Sequence, residues 1–172
     1  VLAVSPRVAR VAARLAPETS ARLAVVPCGV EVPKRPALPA PDKGPLRVLY
    51  AGRLVQRQKR VRDLAGIALA LDRLGADFFL TLAGSGPEEP ALRARLRGLV
   101  RQGRVRFAGT LDNRKVLEEM DGADAFVLAS SFEGTPVSLM EAMARACAPV
   151  VPDIASGIPD LVENGKTGFT AP

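Results

Sequence analysis

Two hydrophobic rhythms alternate along this chain, and that alternation limits its fold more than any other feature. Short aliphatic runs stand at Leu46–Ala51, Phe78–Ala83, Val105–Phe107, Ala125–Ala129 and Pro149–Pro152. Between them lie stretches with helical spacing, at Val61–Leu74, Pro87–Gln102, Asn113–Met120 and Pro136–Ala146. Strands separated by helices pair in parallel, because each helix carries the chain back across the sheet. The pattern therefore predicts an α/β fold, a parallel sheet wrapped by helices. Ligands of such sheets gather at the carboxyl ends of the strands. The strand-to-helix turns are where chemistry is expected.

The first 45 residues follow another pattern. Val1–Ser5 reads as a strand, Pro6–Ala16 as a helix and Leu23–Val26 as a second short strand. Pro27, Pro33, Pro36, Pro39, Pro41 and Pro45 then follow closely, which suits a semi-rigid linker and no regular element. Residues 1–26 are read as the tail of a preceding domain whose body lies outside this chain, 27–45 as a Pro-rich linker, and 46–172 as the main domain. The alternative is a decorated N-terminus on a single domain.

Bulk properties narrow the function. The 172 residues are 48% hydrophobic and 24% charged, which is globular and not disordered. No apolar run approaches the ~20 residues of a membrane span. The balance of 24 basic and 18 acidic residues gives +6, a sign that suits an anionic nucleotide, nucleic acid or a membrane surface. The arginines are spread along helical faces, as at Arg93, Arg95, Arg97 and Arg101, and six Phe and one Tyr form no stacking platform. Nucleic acid is therefore disfavoured. Cys28 and Cys147 have no metal or disulfide-framework spacing, and histidine is absent. Chemistry here falls to carboxylates, cations and backbone dipoles.

The most telling segment is Ser130-Ser131-Phe132-Glu133-Gly134-Thr135-Pro136-Val137-Ser138-Leu139-Met140-Glu141-Ala142-Met143. Thr135 is expected to cap a helix with Pro136 at its first position, leaving Glu133 in the loop ahead. Glu141 follows Val137 by four residues, so both carboxylates can face one crevice beside free N–H groups that suit a phosphate. The plainer alternative for Glu141 is an exposed ion pair with Arg145. Leu139 to Pro149 is largely Ala, Met and Cys, which predicts a helix buried on most sides.

Other turns add to this. Gly52-Arg53-Leu54, with Lys59 six residues after Arg53, offers close backbone approach and two cations for a diphosphate, or else a solvated basic loop shared with Arg57, Arg60 and Arg62. Gly84-Ser85-Gly86-Pro87 lacks the third glycine of a dinucleotide fingerprint, which argues against NAD. It fits a tight turn that admits part of a ligand. Val105-Arg106-Phe107-Ala108-Gly109 ends in small residues where backbone groups can meet a base.

In this order, with Pro27-Cys28-Gly29-Val30 before them and Gly157-Ile158-Pro159 after, these pieces resemble the donor-binding half of retaining glycosyltransferases with two Rossmann-like domains (the GT-B architecture). The resemblance is to family 4, the "glycosyl transferases group 1" domain, and it covers residues 25 to 172. It implies a Rossmann-like sheet with helices on both faces, one half of the GT-B pair. By this resemblance Arg53 and Lys59 hold the diphosphate and steady the leaving nucleotide. Glu133 and the N–H groups of Gly134, Thr135 and Val137 around Pro136 orient the transferred sugar. Glu141, seven intervening residues later in an EX7E motif, takes the ribose hydroxyls. Gly52, Gly84, Gly86, Phe107 and Gly109 line the donor site.

The expected activity is hexosyl transfer from a UDP-, GDP- or ADP-sugar to a glycan or lipid acceptor, without cofactor or metal. The acceptor binds through the missing N-terminal domain, so this chain alone is expected to be inactive. A cytoplasmic place, with peripheral contact at the inner face of the membrane, goes with that reading. A sugar-nucleotide epimerase of the same architecture, or a basic module binding anions or RNA, are the competing readings. Cys28 stands where the family usually has Asn, Ala146-Cys147-Ala148 where glycine is common, and Arg60 follows Lys59 where Gly is frequent.

Overall fold

The computed structural model describes residues 1–34, 44–154 and 156–172. Residues 35–43 of the expected linker, with Pro36, Pro39 and Pro41, lie outside the described residues. The chain opens with β1 (Leu2–Ala3), α1 (Pro6–Leu15), a 3-10 segment (Pro17–Arg22) and β2 (Ala24–Val25), and β1 and β2 pair in parallel. Ser5 starts α1, its Oγ accepting the Val8 N–H at 3.2 Å, and Pro6 occupies the first helical turn.

The main sheet runs β3 (Leu46–Ala51), β4 (Phe78–Ala83), β5 (Val105–Gly109), β6 (Ala125–Val127), β7 (Ala148–Pro152) and β8 (Phe169–Ala171) in sequence. In space the order is β5-β4-β3-β6-β7-β8, with every pairing parallel. The chain winds outward from β3 to β5, returns across the sheet, and winds outward again from β6. Right-handed crossovers place the helices of the two halves on opposite faces. One half carries α2 (Gln56–Lys59), α3 (Val61–Arg73), α4 (Glu89–Arg95) and α5 (Arg97–Arg101). The other carries α6 (Asn113–Asp121) and α7 (Val137–Ala144). The Rossmann-like expectation, a parallel sheet between helices, is met. The winding reverses between β3 and β6, and such reversals open a crevice at the strand ends.

The core explains the register. Leu49, Tyr50, Phe78, Leu82 and Phe126 on the strands, with Leu64, Leu92 and Leu139 on the helices and Leu96 between α4 and α5, are at most 1% exposed. Strands covered on both faces read as near-continuous apolar runs, which made them legible.

Boundaries differ in instructive ways. β5 continues two residues past Phe107 to Gly109, while β6 stops at Val127, before the loop that carries Glu133. The expected helix over 87–102 is divided at Leu96 into α4 and α5. Its hydrogen bonding persists, with Leu96 N–H to Leu92 O and Val100 N–H to Leu96 O both at 2.9 Å. The short α2 and strand β8 carry too few apolar residues to show a periodicity. Thr135 is not the cap of α7: Pro136 occupies that place and Val137 begins the helix. The Thr135 hydroxyl instead donates to the Val4 carbonyl at 3.1 Å, tying the loop to the N-terminal segment. Burial of α7 is also narrower than its composition suggests, with only Leu139 and Ala142 fully covered.

Candidate functional site

Backbones close in first at the reversal. Beyond β3, Gly52 N–H donates to Ala83 O at 2.9 Å and Leu54 N–H to Ser85 O at 2.8 Å. Beyond β4, Gly84 N–H donates to Gly109 O at 2.7 Å. These crossings need glycine: a Cβ on Gly84 would stand 1.9 Å from Gly52 O, and one on Gly86 2.3 Å from Leu54 O. Gly84 also has φ of +132°, a region other residues rarely adopt. The three turns together floor a cavity of about 330 Å³.

Arg53, Gly52 and Gly84 line that cavity, with Ser85, Thr110 and Ser138 among the others. Arg53 is steadied by a hydrogen bond from Nη2 to Gln58 Oε1 at 2.9 Å. Its carbonyl accepts the Tyr50 hydroxyl at 2.8 Å, so a wholly buried tyrosine props the turn from beneath. Burial raises the Tyr50 phenol well above its ordinary value, and the nearby Glu133 carboxylate raises it further. That hydroxyl stays protonated and keeps donating.

Lys59 and Glu133 come from different halves of the sheet and meet here, Nζ to Oε1 at 2.6 Å. Lys59 closes α2, and Glu133 sits on the loop between β6 and α7. Ser131 fastens the two together: its N–H donates to Gln58 O at 2.8 Å and its hydroxyl reaches Arg57 O at 3.0 Å. On the other side of the same loop, Gly157 N–H donates to Gly134 O at 3.0 Å, and a Cβ on Gly157 would lie 2.1 Å from that oxygen.

The loop then enters α7. Pro136 has no N–H and caps with no side-chain bond, so the N–H groups of Val137 and Ser138 have no partner among the described residues. An open first turn carries the positive end of the helix dipole. One turn further, Glu141 accepts from Asn113 Nδ2 at 3.1 Å. The alternative, an ion pair with Arg145, does not form. Arg145 is 7% exposed and lies against Asp121, with Nε 3.3 Å from Oδ1.

Phe107 stands apart: its ring lies under the Arg93 guanidinium at 4.3 Å and is not part of the cavity lining. Gly52, Arg53, Lys59, Gly84, Gly86, Gly109, Glu133, Gly134, Thr135, Pro136, Val137 and Glu141 stand at or beyond the carboxyl ends of β3 to β6; of these, Gly52, Arg53 and Gly84 line the cavity, and Lys59 and Glu133 touch each other. Tyr50, Ser131, Asn113 and Ser138 were not singled out from the sequence. Of these only Tyr50, the single tyrosine of the chain, offered a compositional signal.

A different hollow, of about 430 Å³, opens on the sheet face beside α6, between Arg47, Arg106 and Glu119. Those charges are already paired, Arg47 with Asp124 and Arg106 with Glu119. It is a gap in the helical cover.

Comparison with known proteins identifies the family. Residues 45–172 match the family model described as glycosyl transferases group 1. Glycogen synthase of Mycobacterium tuberculosis is 34% identical over 153 residues, covering 87% of this chain and 36% of that protein. The amylovoran biosynthesis glycosyltransferase AmsK of Erwinia amylovora is 33% identical over 138 residues, 74% of this chain and 32% of its own length. Among solved structures, the lipopolysaccharide outer core galactosyltransferase WaaB in its apo form superposes with a TM-score of 0.79 at 30% identity. That superposition covers 99% of this chain and 47% of WaaB. The chain spans about a third of the length of these curated relatives. By family model, sequence similarity and fold alike, the chain belongs to the group 1 glycosyl transferases.

Proposed function

We propose that this chain is the donor-binding half of a retaining enzyme that transfers a hexosyl group from a nucleoside-diphosphate sugar to a glycan or lipid acceptor. The observation that carries the reading is the meeting of cations, carboxylates and an open helix N-terminus at the reversal of the sheet. Solved relatives of the same fold support the donor class. The pneumococcal O-GlcNAc transferase GtfA was crystallised with UDP and GlcNAc (TM-score 0.77), and Arabidopsis thaliana starch synthase IV with ADP and acarbose (TM-score 0.76).

In this reading the nucleoside fills the 330 Å³ cavity, and its diphosphate extends from Arg53 toward the first turn of α7. Guanidinium forks suit two phosphate oxygens, and Lys59 adds a mobile point charge. Before donor binds, Lys59 is held by Glu133. Phosphate draws the ammonium across, which leaves Glu133 as an acceptor for sugar hydroxyls. As the bond from the anomeric carbon to the diphosphate breaks, negative charge builds on the leaving oxygen. Fixed cations and N–H dipoles lower that barrier, commonly by about 3–4 kcal/mol per well-placed donor.

The test is a thermal-shift and calorimetric series with UDP, GDP, ADP and their sugars. One nucleoside diphosphate is expected to raise the unfolding midpoint, and Arg53→Ala to abolish the shift. No stabilisation by any of them would defeat the proposal.

A further inference from the structure

Glu141 is a half-buried carboxylate without a counter-charge. Among the described residues no lysine or arginine pairs with it, and Arg145 one turn on turns away to Asp121. Its partner is a neutral amide, Asn113 Nδ2, at 3.1 Å.

The placement of that amide is well defined. Asn113 is the first residue of α6, and Asp112 caps the helix by accepting the Lys115 N–H on Oδ1 at 2.9 Å. Val116, three residues after Asn113, lines the cavity; so does Ser138, three residues before Glu141 on α7. Residues three apart on a helix share a face. One face of each helix therefore borders the cavity, and the Asn113–Glu141 bond joins the two faces at its rim.

The chemistry of the pair is selective. A cation at position 113 would neutralise Glu141, whereas an amide fixes its direction and leaves the charge intact. Asn113 occupies one lone-pair direction on Oε1, and Oε2 has no donor among the described residues. An ionised carboxylate offers about four acceptor sites, enough to take two neighbouring hydroxyls as well. Charge-assisted bonds of this kind are about twice as strong as neutral ones.

Resting on the donor-site reading above, we propose that Asn113 is a positioning residue, setting the rotamer of Glu141 so that its free oxygens meet the vicinal hydroxyls of the donor ribose. Nothing in the glycine-rich turns or the Lys59–Glu133 pair requires it. The role belongs to the α6–α7 contact.

The experiment titrates UDP, GDP and ADP, each beside its 2′-deoxy form, into the protein and into Asn113→Ala, Asn113→Asp and Glu141→Ala variants, with the unfolding midpoint of each variant as a check on folding. Asn113→Ala is expected to weaken the ribonucleotide about tenfold while changing the 2′-deoxy form less than about twofold. Asn113→Asp sets a second carboxylate against Glu141. Its binding is expected to be weak at about pH 7.5 and to recover toward about pH 5, where one carboxyl protonates and donates to the other. The parent protein should show no such recovery.

Equal losses for ribo- and deoxynucleotide, or a flat pH profile for Asn113→Asp, would overturn the positioning role. A loss in Glu141→Ala without one in Asn113→Ala would remove this inference and leave the donor site standing. No change in Glu141→Ala would likewise remove this inference alone, whereas no nucleotide binding at all would bring down the donor-site reading itself, and this inference with it.

Discussion

The Lys59 ammonium and the Glu133 carboxylate stand 2.6 Å apart, with 15% and 7% of their side-chain surfaces exposed. So poorly solvated a pair has a structural consequence as well as a functional one. Removing one partner strands the other charge away from water. Lys59→Ala is therefore expected to lower the unfolding free energy by about 3 kcal/mol, and Lys59→Met with Glu133→Gln to regain most of it. Arg53→Ala should cost less than about 0.5 kcal/mol, because Arg53 is exposed and its side chain bonds, among the described residues, only to the neutral Gln58 side chain. Urea denaturation of the three variants checks this, and equal stability of Lys59→Ala and Arg53→Ala would contradict it.

Two backbone positions predict opposite signs for exchanges between glycine and alanine. At Gly84 a methyl group would collide with Gly52 O at 1.9 Å, and neither backbone can yield without breaking the turn. Gly84→Ala should destabilise by about 3 kcal/mol or more, and should weaken nucleotide binding with it. Ala146, conversely, holds φ of +63° after α7, where a Cβ crowds the following carbonyl. Ala146→Gly should stabilise by up to about 1 kcal/mol, read as a higher unfolding midpoint.

Ala146 also shows what the sequence could and could not disclose. The family resemblance marks this stretch as one where glycine is common; only the backbone reveals why, and what the departure costs. Arg60 repeats the lesson, with φ of +46° at the end of α2 where glycine is frequent. The strands were legible because burial on both faces writes them as unbroken apolar runs, and Leu46–Ala51 and Phe78–Ala83 keep their expected bounds. The motif residues were legible because they follow those strands. The bond between Lys59 and Glu133 was not, since 74 positions separate them and their meeting depends on strand order. Thr135 misled for a related reason. Its hydroxyl has the chemistry of a cap, but the Val4 carbonyl, far away in sequence, competes for it and wins.

Positive charge at the proposed donor site comes from Arg53, Lys59 and the first turn of α7, while Lys59 already answers Glu133. Transfer by the full-length protein is therefore expected to survive EDTA with less than about a twofold change, since fixed cations can do the work a divalent ion does elsewhere. A loss of more than about tenfold, restored by added magnesium, would assign the leaving-group charge to a metal instead.

Acid stability tests the opposite end of the sheet. Asp124, just before β6, accepts from the Arg47 backbone N–H at 2.8 Å and from its guanidinium on both oxygens, at 3.1 and 2.8 Å. These bonds from Arg47 hold the Asp124 carboxyl below its ordinary value of 3.8, against a smaller opposing effect of burial. The unfolded chain binds the proton more readily than the folded one, so protonation favours unfolding. The contribution is full above pH 3.8 and disappears as pH falls through the lower folded-state value. Partial exposure keeps it modest. Asp124→Asn should accordingly be less stable than the parent at neutral pH, and the gap should close in strong acid. Urea midpoints taken from neutral pH to below pH 3.8 would show it. A gap that stayed constant across that range would mean that the pair joins β3 to β6 by shape alone, without the charge.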